Sequence, residues 1–198
     1  DTWKSRGLGD VYKRQVEIYP GFSASEVLYD ENNKVVGIAT CDMGRLKDGS
    51  EGPNFERGIE LRAKQTVFSE GCRGHLGKTL MEKFELNSNN SPQTYGIGIK
   101  ELWEVTPENS KPGSIMHTTG WPLDNETYGG SFLYHLDDNK ISIGFVIGLD
   151  YKNPYLSPYL EFQRFKHHPA IKKLLEGGRR INYGARALNE GGVQSLPK

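Results

Sequence analysis

Residues 128–149 read Tyr-Gly-Gly-Ser-Phe-Leu-Tyr-His-Leu-Asp-Asp-Asn-Lys-Ile-Ser-Ile-Gly-Phe-Val-Ile-Gly-Leu. Two strand-forming runs, Gly130–Leu136 and Ile141–Leu149, flank Asp137-Asp138-Asn139-Lys140, a four-residue hairpin loop. This predicts an antiparallel pair. Upstream, Tyr95–Val105 alternates with period two through Tyr95, Ile97 and Ile99, and Ser114–Trp121 is a further strand candidate. Downstream, helices are expected at Tyr159–His167 and Ile171–Glu176. Pro169 precedes the second helix and Gly177-Gly178 follows it, matching the usual start and stop signals.

The N-terminal half is also strand-rich. Val16–Tyr19 is short and β-rich, and Ser25–Tyr29 and Lys34–Asp42 form a hairpin around Asp30-Glu-Asn-Asn. Residues 43–57 are polar and read as a surface loop. Gly58–Phe68 reads as extended, with Ile59, Leu61 and Ala63 alternating and Val67-Phe68 buried at its end. A glycine turn, Ser69-Glu-Gly-Cys-Arg-Gly, then leads into a helix carrying Leu76, Leu80, Met81 and Phe84 on one face. The fold class is α+β with mixed or antiparallel sheets, and the domain boundary is expected near 87–94. Residues 1–15 show neither periodicity and join Val16 abruptly, so they read as a non-native leader.

The 198 residues carry 25 basic and 25 acidic side chains, a net charge of zero. That balance argues against nucleic acid as the main partner, since a phosphate-binding surface needs a basic excess. Two cysteines, Cys41 and Cys72, make neither a disulfide framework nor a zinc site. No run approaches the roughly 18 apolar residues of a spanning helix, and the mean hydropathy is −0.63.

Four features could carry chemistry. The strand, glycine turn and helix at 66–84 could present backbone N–H groups to an anion or nucleotide; a plain tight turn reads alike. At Tyr128-Gly129-Gly130-Ser131-Phe132, bare backbone between aromatic rings suits a quinone, which needs donors for its oxygens and an apolar trench; a glycine bulge entering a strand is the alternative. His167-His168 lacks carboxylate or cysteine at ligand spacing, so a helix C-terminal role for His167 is the simpler reading. Arg179, Arg180 and Arg186 could hold an anion, with Glu176 and Glu190 as the expected ion-pair partners.

Taken in order, Val16-Glu-Ile-Tyr-Pro-Gly, Gly37-Ile-Ala-Thr, Phe55-Glu-Arg-Gly, Ser69-Glu-Gly-Cys-Arg-Gly-His-Leu, Pro92-Gln-Thr-Tyr-Gly-Ile-Gly, Lys100-Glu-Leu-Trp, Gly120-Trp-Pro-Leu-Asp and Tyr128-Gly-Gly-Ser-Phe-Leu-Tyr-His carry a resemblance. The chain resembles the electron transfer flavoprotein–ubiquinone oxidoreductase family over residues 16–198. The resemblance implies part of a Rossmann-like FAD-binding domain at 16–86 and a mixed or antiparallel-sheet ubiquinone-binding domain at 87–198, with a possible return towards the FAD domain at the C-terminal end. It implies an enzyme that takes electrons from reduced electron transfer flavoprotein and passes them to ubiquinone through FAD and a 4Fe–4S cluster. Such an enzyme is monotopic, on a mitochondrial inner or bacterial cytoplasmic membrane. Gly129 and Gly130 match the family's quinone-binding glycine pair, and Ala39, Thr40, Glu70 and Gly71 fall where FAD contacts are implied. The dinucleotide fingerprint is absent and would lie upstream. Cys41 and Cys72 cannot build a four-cysteine cluster site, which would lie downstream. An internal fragment, inactive alone, is therefore expected. The alternatives are a related FAD-dependent reductase or hydroxylase of the same architecture, or a non-enzymatic β-rich binding module.

Overall fold

The computed structural model describes residues 17–198. The expected leader at 1–15, and Val16 of the first expected strand, lie outside the described residues; Glu17–Tyr19 form no strand. The chain divides into two compact units, one ending at Ser69 and the other running Glu70–Lys198. The helix expected to close the first domain thus belongs to the second unit.

In the first unit, β1 (Ala24–Tyr29) and β2 (Val35–Thr40) form the expected hairpin, and β5 (Glu60–Arg62) adds to the other edge of β2. The carboxylate of Asp30 closes the turn by accepting from the N–H groups of Asn32 and Lys34, each at 2.9 Å. Residues 43–57 are not a plain loop: β3 (Met43–Arg45) and β4 (Glu51–Glu56) pair as a second hairpin. Its side chains are mostly exposed, so no alternation of apolar and polar residues betrays it in the sequence. The extended reading of 58–68 holds only for β5, and Val67 is 80% exposed rather than buried.

The second unit opens with α1 (His75–Lys83). It is dominated by an antiparallel sheet of order β10-β6-β9-β8-β7. These strands are β6 (Tyr95–Glu104), β7 (Ile115–Thr119), β8 (Gly129–Leu136), β9 (Lys140–Gly148) and β10 (Arg179–Asn189), with helices α2 (Pro158–Lys166) and α3 (Pro169–Leu175) between the last two. The β8–β9 turn sets Asp138 and Asn139 at φ 58° and 54°, the left-handed backbone that Asp and Asn tolerate. Along β9, Ile141, Ile143, Phe145 and Ile147 are wholly buried and form one core with Leu133, Phe162, Phe165, Ile171 and Leu175. Phe145 stacks on Phe165 at 5.2 Å and on Phe162 at 6.4 Å between ring centroids. One face of the sheet is thereby backed by α2 and α3.

Local chemistry starts both helices. The Ser157 hydroxyl accepts from Leu160 N–H ahead of α2, Nδ1 of His168 accepts from Ala170 N–H ahead of α3, and proline follows each cap. The adjacent histidines thus end one helix and start the next. β10 is the longest strand and was not anticipated from sequence. Nine of its eleven residues are exposed, so its pairing with β6 leaves no period-two signature.

Phe145→Ala should cost about 3–5 kcal/mol through the cavity between β9 and α2. A urea titration followed by tryptophan fluorescence checks this, and an unshifted midpoint would contradict the packing described.

Candidate functional site

The strand alternation that buries Phe145 turns Ser142, Gly144, Val146 and Gly148 to the opposite face of β9. There the ring of Phe132 lies over Gly144, where a Cβ would collide with it, and Tyr128 lies beside Gly148. Gly130 sits between Tyr128 and Phe132 on the same face and opposite Val146 across the ladder. The result is a cleft of about 310 Å³. Gly130 and Val146 form its floor, Tyr128 and Phe132 its aromatic sides, and His117 and Thr119 of β7 one wall, while Glu190 lies at its margin.

Sequence reasoning singled out Gly129 and Gly130, and both line this cleft. Their lack of a side chain is also a packing requirement: a Cβ on Gly130 would collide with the Thr118 carbonyl, and one on Gly129 with Leu123. Gly148 N–H donates to the Tyr128 carbonyl at 2.8 Å. The alternation of an antiparallel ladder then aims Gly130 N–H at β9 as well, so Gly130 gives the cleft bare surface. His117, Thr119, Val146 and Glu190 were not named as candidates for this site, because strand pairing alone brings them to the glycines.

The second candidate region behaves differently. β5 ends at Arg62, so no strand leads directly into the Ser69–Gly74 turn, and the α1 N-terminus already holds an anion of its own. The Glu70 carboxylate accepts from Gly77 N–H at 2.7 Å and Leu76 N–H at 3.3 Å. Gly71, at φ 78°, has open space about it and lines a hollow of about 340 Å³ with Cys72, Arg73 and Lys78. Ala39 and Thr40 lie on β2 in the first unit, where the Thr40 hydroxyl accepts from Ile59 N–H at 3.0 Å.

The arginines at the start of β10 find partners other than those expected. Arg179 pairs with Glu104 at 3.0 Å and Arg180 with Glu101 at 3.1 Å, because β10 runs beside β6 and brings them past its carboxylates. Glu101 is 2% exposed. It also takes Lys166 Nζ at 2.7 Å and Trp103 Nε1 at 2.8 Å. Burial pushes its pKa up, but the hydrogen bonds from Lys166, Trp103 and Arg180 prevail and hold the carboxyl below its usual range. This ionic cluster ties β6 to α2 and β10. Cys41 and Cys72 are free thiols, and no three His, Cys, Asp or Glu side chains gather as metal ligands among the described residues.

The second unit thus joins a helix-backed antiparallel sheet to an aromatic, glycine-floored cleft. Residues 95–188, from the first residue of β6 almost to the end of β10, match the sequence model of the ETF-QO ubiquinone-binding domain. The pig protein named electron transfer flavoprotein-ubiquinone oxidoreductase, mitochondrial, is 62% identical over 185 residues, covering 92% of this chain and 30% of the relative. The Arabidopsis thaliana protein of the same name is 57% identical over 191 residues, covering 96% of this chain and 30% of the relative. The chain belongs to the electron transfer flavoprotein–ubiquinone oxidoreductase family, and spans about 30% of the length of the curated relatives it matches. A flavin-dependent brominase shares its fold at TM-score 0.50 and 16% identity, over 85% of this chain and 38% of that one.

His135 supplies the pH-sensitive point of this sheet. Its ring is buried on β8, and its Nδ1 accepts from Lys111 N–H at 3.1 Å. Burial first, then the Lys111 charge, push its pKa down. The unfolded chain therefore binds a proton below about pH 6.5 that the folded chain refuses, and stability falls as pH drops through that range. His135→Asn keeps an acceptor near the Nδ1 position and should flatten the decline in melting temperature between pH 7 and 5. A variant that declines as steeply as the parent would assign the effect elsewhere.

Proposed function

We propose that these residues form the ubiquinone-binding part of an enzyme that receives electrons from reduced electron transfer flavoprotein and delivers them to ubiquinone. The observation that carries this reading is the cleft between Tyr128 and Phe132, floored by Gly130 and Val146, within the segment matched to a ubiquinone-binding domain. A flat quinone head is accommodated where Cβ atoms are missing, with rings on two sides, and Gly129 and Gly130 are the quinone-binding pair. Thr119, His117 and Tyr128 place polar atoms at the rim, where the quinone oxygens need hydrogen-bond partners.

FAD and a 4Fe–4S cluster belong to the same proposal. Bound flavin would supply the electrons. Residues of this chain that suit it are Glu70 and Gly71, with Ala39 and Thr40 on β2 as a second proposed contact. The support is the open approach to Gly71 and the presence of Arg73 and Lys78 in the same hollow, which complement a diphosphate. Two cysteines cannot provide the four thiolates a 4Fe–4S cluster needs, so its ligands are assigned to residues outside this chain. The first unit is proposed as part of the FAD-binding domain. In support, no large hydrophobic side chain is fully buried among its described residues, and Ile59 and Leu61 are 51% and 42% exposed, as in a sheet that packs on further structure.

A mitochondrial location follows the names of the relatives, and attachment at the surface of the inner membrane is the finer part of the proposal. No described helix is long and apolar enough to cross a membrane. An apolar hollow lined by Trp121 and Leu160 beside Arg164 supports peripheral attachment through aromatic and aliphatic side chains with a cation at their margin.

Val146→Phe in the full-length enzyme should fill the floor and raise KM for a short-chain ubiquinone about tenfold, equivalent to roughly 1.4 kcal/mol of binding, with flavin content unchanged. Gly130→Val should abolish quinone reduction and also loosen β7 from β8, because its Cβ would collide with the Thr118 carbonyl. Wild-type quinone kinetics in Val146→Phe would remove the cleft as the quinone site.

A further inference from the structure

We propose that His117 is the acid that protonates the quinone as it is reduced, with Tyr134 as its positioning residue; the inference rests on the quinone reading of the cleft. Reduction of a quinone to a quinol consumes two electrons and two protons, converting both C=O groups to C–OH. Electrons can reach the ring from a reduced flavin or iron–sulfur centre over a distance. Protons need a donor in contact with an oxygen.

Three titratable side chains line the cleft: His117 from β7, Tyr128 ahead of β8, and Glu190 after β10. Behind them stands Tyr134 of β8. As a class, phenols hold their proton at neutral pH and carboxylates have already released theirs, whereas imidazole exchanges one between about pH 5 and 8. The imidazole is the group matched to the task.

Its placement is built by cross-strand pairing. His117 stands opposite Phe132 in the β7–β8 register, and Phe132 stacks on Tyr134 with 4.9 Å between centroids. Tyr134 meets the His117 ring edge-on at 5.6 Å, with its hydroxyl 3.5 Å from Nε2. In the imidazolium form Nε2–H donates to the Tyr134 hydroxyl oxygen, leaving Nδ1–H for the quinone. In the proposed step the imidazolium N–H bond at Nδ1 breaks and its electron pair stays on the nitrogen as the ring becomes neutral, an O–H bond forms at one quinone oxygen, and the two electrons that reduce the quinone come from the reduced redox centre. The second proton comes from solvent. Because His117 is exposed on the edge strand, water also returns its proton for the next turnover.

The test uses the full-length holoenzyme with His117→Asn and Tyr134→Phe. Three quantities are measured between pH 5 and 9: kcat for a short-chain ubiquinone, equilibrium quinone binding by fluorescence quenching, and reduction of ferricyanide, which takes electrons without protons. His117→Asn should lower quinone kcat about a hundredfold and erase the limb by which wild-type kcat falls as imidazole deprotonates. Quinone affinity should fall far less than kcat, and ferricyanide reduction, which needs no proton from the cleft, should match the wild type. Tyr134→Phe should displace that limb along the pH axis with a smaller loss of rate. Wild-type kcat and pH profile in His117→Asn overturn the proposal. So does a loss confined to affinity, which makes His117 a wall of the cleft, or a loss of ferricyanide turnover, which makes it structural. Wild-type enzyme that reduces ferricyanide but neither binds nor reduces ubiquinone overturns the quinone reading itself, and the proton role falls with it.

Discussion

Burial of one face of β9 against α2 is the constraint on which the second unit depends. Ile141, Ile143, Phe145 and Ile147 leave water together, and the pleat then commits Ser142, Gly144, Val146 and Gly148 to the other side. A slip of one residue would exchange the two sets and expose the isoleucines, so the register is strongly held. The cleft follows from that commitment. Glycines on the far face leave room for Phe132 and Tyr128 to lie close to the backbone, and the gap between those rings is floored by Gly130 and Val146.

The most deeply buried charged side chain described in this unit is fully partnered. Glu101 would be costly to bury alone, and it is met by Lys166, Arg180 and Trp103. The cluster joins a central strand, a helix and the last strand, elements far apart in sequence. Glu70 does comparable work on a smaller scale by taking the first N–H groups of α1 into its carboxylate. A helix N-terminus filled in this way has little left for an external anion, which is why the open side of Gly71, beside Arg73 and Lys78, is the better place to look for one.

The two units stand differently as folding objects. The second has a continuous apolar core between sheet and helices, and it contains the segment matched to a ubiquinone-binding domain. The first is built of short hairpins whose carbonyl and N–H groups are well paired but whose apolar side chains are only partly covered. Hydrogen-bonded ladders set the geometry of such a sheet; burial of its faces supplies most of its stability.

The amino-acid sequence by itself determined the β8–β9 hairpin, strand β6, and helices α2 and α3. Each rests on local physics: left-handed Asp and Asn in a turn, period-two apolar alternation, Ser and His caps followed by proline. It also marked Gly129 and Gly130, since paired glycines between aromatic rings are visible without a fold. Only the tertiary structure decided β10 and the β3–β4 hairpin, because exposed strands carry no burial period. It alone set Arg179 on Glu104 and Arg180 on Glu101 rather than on carboxylates nearer in sequence, and it alone brought His117, Tyr134, Val146 and Glu190 to the glycines. Those meetings depend on register between strands, and register is set by which faces are buried across the whole sheet, a quantity no short stretch of sequence contains.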